Sequence, residues 1–259
     1  MANQQSLEGR VIAITGGARG IGLATARACV AQGAQVSLGD LDLDLARQEA
    51  RALNAHAGSL DVRRRESFAA WLDDLGATLG PPDVLINNAG IMPSGPFCAE
   101  SDAATQAQID IILGGVILGC KLALPGMLER GQGHIVNIAS MAGVVPLPGL
   151  AVYCASKFAV VGLTQSLREE YRDSGVHFSS ILPAKVTTEL AAGTDQAGRG
   201  VPTSSAKEVA EAIVDGGKRH KVLNHFGLTW NGSLFGPLAA DAVYLGSALK
   251  DGYQEWRYS

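Results

Sequence analysis

Tyr153 and Lys157 stand four residues apart in YCASK, inside the small, apolar stretch PLPGLAVYCASKFAVVGL. Four residues is one helical turn, so both side chains lie on one face. A phenol beside an ammonium is a candidate proton-transfer pair. Tyrosine's ordinary pKa is near 10, and lowering it to about 7 takes roughly 4 kcal/mol. An ammonium about 4 Å away supplies about that much at an effective dielectric of 20. The plain alternative is a core tyrosine beside a lysine that snorkels to the surface.

A second group of residues suits phosphate. TGGARGIG, Thr15 to Gly22, falls between a β-branched run and a helical one. Glycines let the backbone approach a diphosphate, and a helix N-terminus offers N–H groups and a positive dipole end. In a strand–turn–helix context this spacing points to a dinucleotide; without a ligand it is a tight glycine turn. Asp40 lies about twenty residues further on. A carboxylate there accepts hydrogen bonds from the adenosine ribose hydroxyls of NAD and repels the 2′-phosphate of NADP. It can also serve as N-cap for a helix from Leu43. Arg19 pulls the other way, as a cation able to meet a 2′-phosphate, or is simply a surface arginine.

These groups need a scaffold, and the chain alternates strand and helix patterns. RVIAIT at positions 10–15, AQVSLGD, AHAGSLDV, PDVLINNAG, HIVNIAS and VHFSSILP read as strands. Between them lie helical segments: GIGLATARACVAQG closed by Gly33, DLDLARQEARAL, RESFAAWLDDLGATLG, about 103–130, and GLAVYCASKFAVVGLTQSLREEYRDSG. The strands are continuous apolar runs, which predicts a parallel sheet covered on both faces. SSAKEVAEAIV reads as a further helix ending at Asp215-Gly216-Gly217 with glycine caps, and 187–204 as a loop.

Composition narrows the class. The 259 residues carry 47% hydrophobic side chains and a net charge of −4, with pI near 5.7 and mean hydropathy +0.14. The balance suits one globular domain, offers no basic surplus for nucleic acid and gives no reason to expect a membrane partner. Ile111 to Cys120, the longest clean apolar run, is well short of the roughly 20 residues of a membrane span. Arg63-Arg64-Arg65 reads as a solvated helix start. Cys29, Cys98, Cys120 and Cys154 are scattered, and His134, His177, His220 and His225 are dispersed, so no metal site is expected. Reduced thiols and a polar N-terminus without a signal-peptide core suit the cytoplasm.

Taken together, TGGARGIG, NNAG at 87–90, Ser140 at the end of HIVNIAS, and Tyr153-x-x-x-Lys157 thirteen residues later resemble the short-chain dehydrogenase/reductase family. The resemblance spans about residues 7–217. It implies an α/β, Rossmann-like doubly wound parallel sheet flanked by helices, one domain over 1–259 with an atypical C-terminal extension about 222–259. It implies hydride transfer between NAD(H), less readily NADP(H), and a secondary alcohol or ketone. It makes Tyr153 the general acid/base, Lys157 its activator and ribose anchor, and Ser140 the partner of the substrate oxygen. Around the cofactor it implies Gly16, Arg19, Gly20, Ile21 and Gly22 at the phosphates, Asp61 and Val62 at adenine, Asn88, Ala89 and Gly90 as a backbone wall, and Val186 and Thr188 at nicotinamide. Met92, Met141, Val144, Leu147 and Leu150 follow strand ends and are apolar, so a hydrophobic small-molecule substrate is expected. A homodimer or homotetramer through the two long helices is implied too.

Two departures stand out. Ala184 occupies a place where the family usually has glycine. The family's long helix normally carries asparagine three residues before the glycine of N-x-x-G-V; aligning Gly115-Val116 puts Ile112 there. A proton relay through that backbone then persists, is rerouted, or is weakened, and the last case leaves an NAD(H)-binding regulatory protein as the alternative.

Overall fold

The computed structural model describes residues 6–186, Thr188, Leu190 and 203–219. Strands β1 (Val11–Thr15), β2 (Gln35–Asp40), β3 (His56–Ser59), β4 (Val84–Asn87), β5 (Gly133–Ile138) and β6 (Val176–Ile181) form one sheet in the order β3-β2-β1-β4-β5-β6. All five pairings are parallel. This is the Rossmann-like doubly wound arrangement, with its order reversing between β1 and β4, where a crevice opens beyond the strands' carboxyl ends.

Side-chain alternation explains the continuous apolar strands. Along β1, Val11 and Ala13 point into one core, Ile12 and Ile14 into the other. The first core is closed by Phe68, Trp71 and Leu75 of α3 (Arg65–Leu79), by α5 (Gly115–Glu129) and by α6 (Ala151–Glu170). The second is closed by α1 (Gly20–Val30), α2 (Leu43–Leu53) and α7 (Ala206–Arg219). A strand buried on both faces has no polar side to show, hence the unbroken runs.

The long helical segment is continuous over Asp102–Glu129, 28 residues, but it is not uniform. Ser101 caps α4 (Asp102–Gln108) by accepting from Ala104 N at 3.2 Å. A π-helical turn, Ile109–Gly114, then leads into α5. By length and composition this helix could cross a membrane, unlike the short apolar run noted in the sequence; 44% of its most apolar window is buried in the protein. It lies very close to the sheet. A Cβ on Gly119 would come within 2.3 Å of Asn87 Oδ1, so only glycine fits there.

Some expectations change. Asp215-Gly216-Gly217 does not end its helix, because α7 runs on to Arg219. An amphipathic face carrying buried Val209 and Ile213 sustains the helix past the two glycines. Thr203–Ser204 (β8) is not loop but pairs in parallel with Lys185–Val186 (β7). Most of 187–204, His220, His225 and the extension 222–259 lie outside the described residues.

Candidate active site

The glycine turn is built by β1, α1 and β4 together. Gly16 N and Gly17 N donate to Gly39 O at 2.8 and 3.3 Å, tying the turn to β2. Gly22 sits where the first turn of α1 meets the chain behind it. A Cβ there would lie 2.2 Å from Gly16 O and 2.7 Å from Asn88 Nδ2, so a side chain would open the turn. Asn88 locks the turn from the other side, donating from Nδ2 to Thr15 O at 2.9 Å and to Gly16 O at 3.0 Å. Thr15 Oγ1 in turn accepts from Asn88 N and Ala89 N at 2.9 and 3.0 Å. Gly90 follows at the end of this wall, half-buried.

The donor set fits a dinucleotide phosphate. Arg19 is the N-cap residue of α1, with extended backbone, and its own side chain does not cap the first-turn N–H groups. Gly20, exposed, and Ile21, half-buried, open that turn. Thr188 stands across from Gly20: its Cγ2 would lie 3.6 Å from a Cβ there. Val186 is buried in the second core beside it, and Thr188 N donates to Val186 O at 2.9 Å. Among the described residues Asn54 alone has a positive φ without being glycine. Ala184 therefore needs no left-handed backbone, so alanine there carries no backbone strain.

Asp40 is half-buried at the end of β2, its Oδ2 accepting from Ala18 N at 3.0 Å and its Oδ1 from Asp42 N at 3.1 Å. It is not the N-cap of α2: that is Asp42, which accepts from Leu45 N at 3.2 Å. Arg19 is not a loose surface arginine either, because its Nη2 lies 2.8 Å from Asp42 Oδ2. Asp61 ends the loop after β3 with both oxygens in the fork of Arg63, at 2.9 and 2.7 Å. The Arg63 guanidinium holds the Asp61 carboxyl below the usual carboxylate range. Arg63 is thus more than part of a solvated helix start. Val62 is buried against Gly115.

At the carboxyl end of β5 the chain makes a short 3-10 turn, Met141–Gly143, capped by Ser140, whose Oγ accepts from Ala142 N at 3.1 Å. Gly143 packs on the backbone of α6: a Cβ would lie 2.8 Å from Lys157 O. This contact brings the Ser140 hydroxyl beside the Tyr153 phenol, close enough to favour its charged form. Lys157, one turn on, has its Nζ 5.7 Å from the Tyr153 ring centre. A buried ladder fixes α6 against the sheet. Asn87 Nδ2 donates to Asn137 Oδ1, and Asn137 Nδ2 to Thr164 Oγ1, each at 2.9 Å. Asn87 Oδ1 is left without a partner, crowded by Gly119.

The electrostatics differ from the sequence expectation. Tyr153 and Lys157 are 6% and 5% exposed. Burial pushes the phenol up to about 12, opposed by the Ser140 hydrogen bond, and pushes the ammonium down to about 8. Desolvation disfavours both charged forms. Lys157 Nζ is also turned to a backbone acceptor, donating to Ile138 O at 2.7 Å. The chain by itself therefore holds a neutral, weakly acidic phenol rather than one acidified by its neighbour.

Ile112 lies in the π-helical turn, fully buried in the same core as Tyr153. Its side chain packs and offers no polar atom. Met92, Met141, Val144 and Leu147 are half-buried at the edge of this core, whereas Leu150 is 4% exposed and belongs to its interior. Sequence reading passed over Thr15 and the carbonyl of Ile138. Thr15 could have been flagged as a lone hydroxyl closing an apolar strand; a backbone carbonyl leaves no signal in residue types.

The sequence model described as short chain dehydrogenase matches residues 10–198. The chain is 40% identical over 187 residues to 2-(S)-hydroxypropyl-CoM dehydrogenase 3 of Xanthobacter autotrophicus, spanning 70% of this chain and 73% of that protein. It is 38% identical over 192 residues to 3-alpha-(or 20-beta)-hydroxysteroid dehydrogenase of Mycobacterium tuberculosis, spanning 71% and 72%. The crystal structure of gox2181 superposes with a TM-score of 0.77 at 28% identity, covering 83% of this chain and 90% of the other.

Proposed function

Since the chain belongs to the short chain dehydrogenase family, whose members use a nicotinamide cofactor, we propose that it is an NAD-dependent oxidoreductase of hydrophobic secondary alcohols and ketones. The observation that carries this reading is the placing of Ser140 and Lys157 beside the buried Tyr153 phenol, beyond the same sheet edge as the glycine turn. When bound, the cofactor supplies the hydride acceptor or donor and, oxidised, a positive ring.

The protein's own residues then have distinct tasks. Ser140 Oγ holds the substrate oxygen next to the phenol. In the reductive direction Tyr153 is the acid, and a phenol kept protonated by burial suits that task. In the oxidative direction it must act as base. Bringing a phenol from about 12 to about 8 takes between 5 and 6 kcal/mol. One ammonium at about 4 Å supplies about 4 at an effective dielectric of 20. Lys157 supplies part of this, and a second positive charge would supply the rest. Lys157 is also the group that would hold the cofactor ribose, with Ile138 O fixing its position meanwhile.

NAD rather than NADP is supported by Asp40, whose carboxylate is pinned beside the turn by two backbone N–H groups. A 2′-phosphate would face that negative charge. The half-buried Met92, Met141, Val144 and Leu147 support an apolar substrate. The test is reduction of NAD by the purified protein over a panel of secondary alcohols. An apolar alicyclic or aromatic alcohol should exceed a polyol of similar size by at least about tenfold in kcat/KM, as two buried methylenes would give. Preference for the polyol overturns the substrate assignment.

Ile112 favours a second reading, a nucleotide-binding regulator with little turnover. Tight NADH binding with no turnover across the panel would support it. Against it stands the packing role of Ile112. Ile112→Val should lower unfolding free energy by about 1 kcal/mol and leave turnover within about twofold, since no polar atom is lost. A large loss of turnover without loss of stability would show that this side chain acts in the chemistry.

A further inference from the structure

We infer that Arg63 is a specificity-determining residue at the purine end of the crevice: its side chain takes up the charge and acceptor capacity of Asp61, and so blunts the preference of that carboxylate for a 6-aminopurine. This rests on the reading of the crevice as a nicotinamide dinucleotide site.

The sheet order puts Asp61 at the purine end. The glycine turn follows β1, Asp40 ends β2, and β3 is the next strand outward. Neighbouring strands lie about 4.8 Å apart. A dinucleotide with its phosphates at the turn and its ribose by Asp40 therefore carries its base out toward the end of β3. Leu60 N donates to Asp40 O at 2.9 Å, which brings the residues after β3 up beside the ribose position. A carboxylate there accepts from the 6-amino group of adenine, whereas a 6-oxo group in the same place only accepts.

The Asp61 carboxylate is largely taken. An ionised carboxylate has about four acceptor sites. Arg63 occupies three: its Nε and backbone N donate to Oδ1 at 2.9 and 3.1 Å, and its Nη2 to Oδ2 at 2.7 Å. One site on Oδ2 is left for a ligand amine, beside a positive charge. Arg64 also attracts Asp61, and Asp110 of the π-helical turn attracts Arg63. A bond to a carboxylate so neutralised is weaker than one to a bare carboxylate. The outward N–H groups of the guanidinium suit a 6-oxo oxygen instead. Nor is the guanidinium needed to place Asp61. Asp61 N donates to Ser67 Oγ at 2.9 Å, and that bond and the one from Arg63 N survive any non-proline side chain at 63. With 46% of its side chain exposed, Arg63 contributes little to folding. Its effect is on the choice of base.

The experiment is fluorescence titration of the full chain with NADH and with its 6-oxo analogue, reduced nicotinamide hypoxanthine dinucleotide. The ratio of the two affinities is the readout, because a merely structural role would move both alike. Arg63→Ala should raise the preference for NADH about three- to tenfold, the difference between a bond to a charged acceptor and one to a neutral acceptor. Adding Asp61→Asn should abolish the gain, since an amide keeps an acceptor for the backbone N–H but turns either a donor or an acceptor to the base. An unchanged or lowered ratio in Arg63→Ala, or a gain that survives in the double variant, overturns the role of Arg63. Failure of the parent reading looks different: a raised ratio without turnover of any alcohol overturns the oxidoreductase assignment alone. Binding of neither dinucleotide by any variant removes both.

Discussion

Tyr153→Phe should lower kcat about 10³- to 10⁴-fold, the upper range for loss of a positioned acid/base, while NADH binding changes less than about fivefold, one hydrogen bond being worth about 1 kcal/mol. The separation follows from packing. The ring of Tyr153 is part of the core closed by α3, α5 and α6, and phenylalanine keeps that volume. What is lost is one hydroxyl, which lies beside Ser140. Ser140 keeps its bond from Ala142 N, so the 3-10 turn beside the site should stay as it is. Steady-state rates and NADH fluorescence titrations check both halves. Full turnover in Tyr153→Phe would end the enzymatic account of this phenol, and a collapse of nucleotide binding would mean the hydroxyl is structural.

Lys157→Met should abolish most turnover, by about 10²-fold or more, and also remove a pH dependence of stability. Burial lowers the folded-state pKa of Lys157 from its ordinary 10.5 to about 8. The unfolded chain therefore binds more protons between those values, and wild-type stability rises with pH across that window. Below about pH 8 the buried ammonium costs the fold about 3 kcal/mol, less what its bond to Ile138 O returns. Tyr153 works in the next window with the opposite sign. Its raised pKa stabilises the fold below 10, and that contribution is lost as pH rises through about 12. Urea unfolding at pH 7 and pH 10 should show wild type gaining about 2–3 kcal/mol relative to Lys157→Met. An equal response in both proteins would mean the ammonium is solvated or already paired. Methionine suits the test because its flexible thioether fills the space of the lysine stem.

Much of the fold and part of the site could be read directly from residue order. The strand runs, the helices between them and the glycines of TGGARGIG are local patterns, because burial on both sheet faces and a tight turn each demand particular residue types within a few positions. The Tyr153–Lys157 spacing is likewise local, since one helical turn sets it. That Ser140 reaches Tyr153 depended on Gly143 packing against the backbone of α6, a contact between elements. So did the engagement of Arg19 by Asp42 and of Arg63 by Asp61, two arginines that residue types alone left open to being solvated surface charges. The π-helical turn around Ile112 depends on how the long helix meets the sheet.

Proton affinity was the property least accessible from sequence. Spacing places an ammonium next to a phenol, and with water nearby that would favour the phenolate. Folding instead removes the water from both, and desolvation drives the two pKa values the other way. Neighbouring residues along the chain determined who meets whom on α6; only the packed structure, by setting how much solvent remains, decided which protonation state each one keeps.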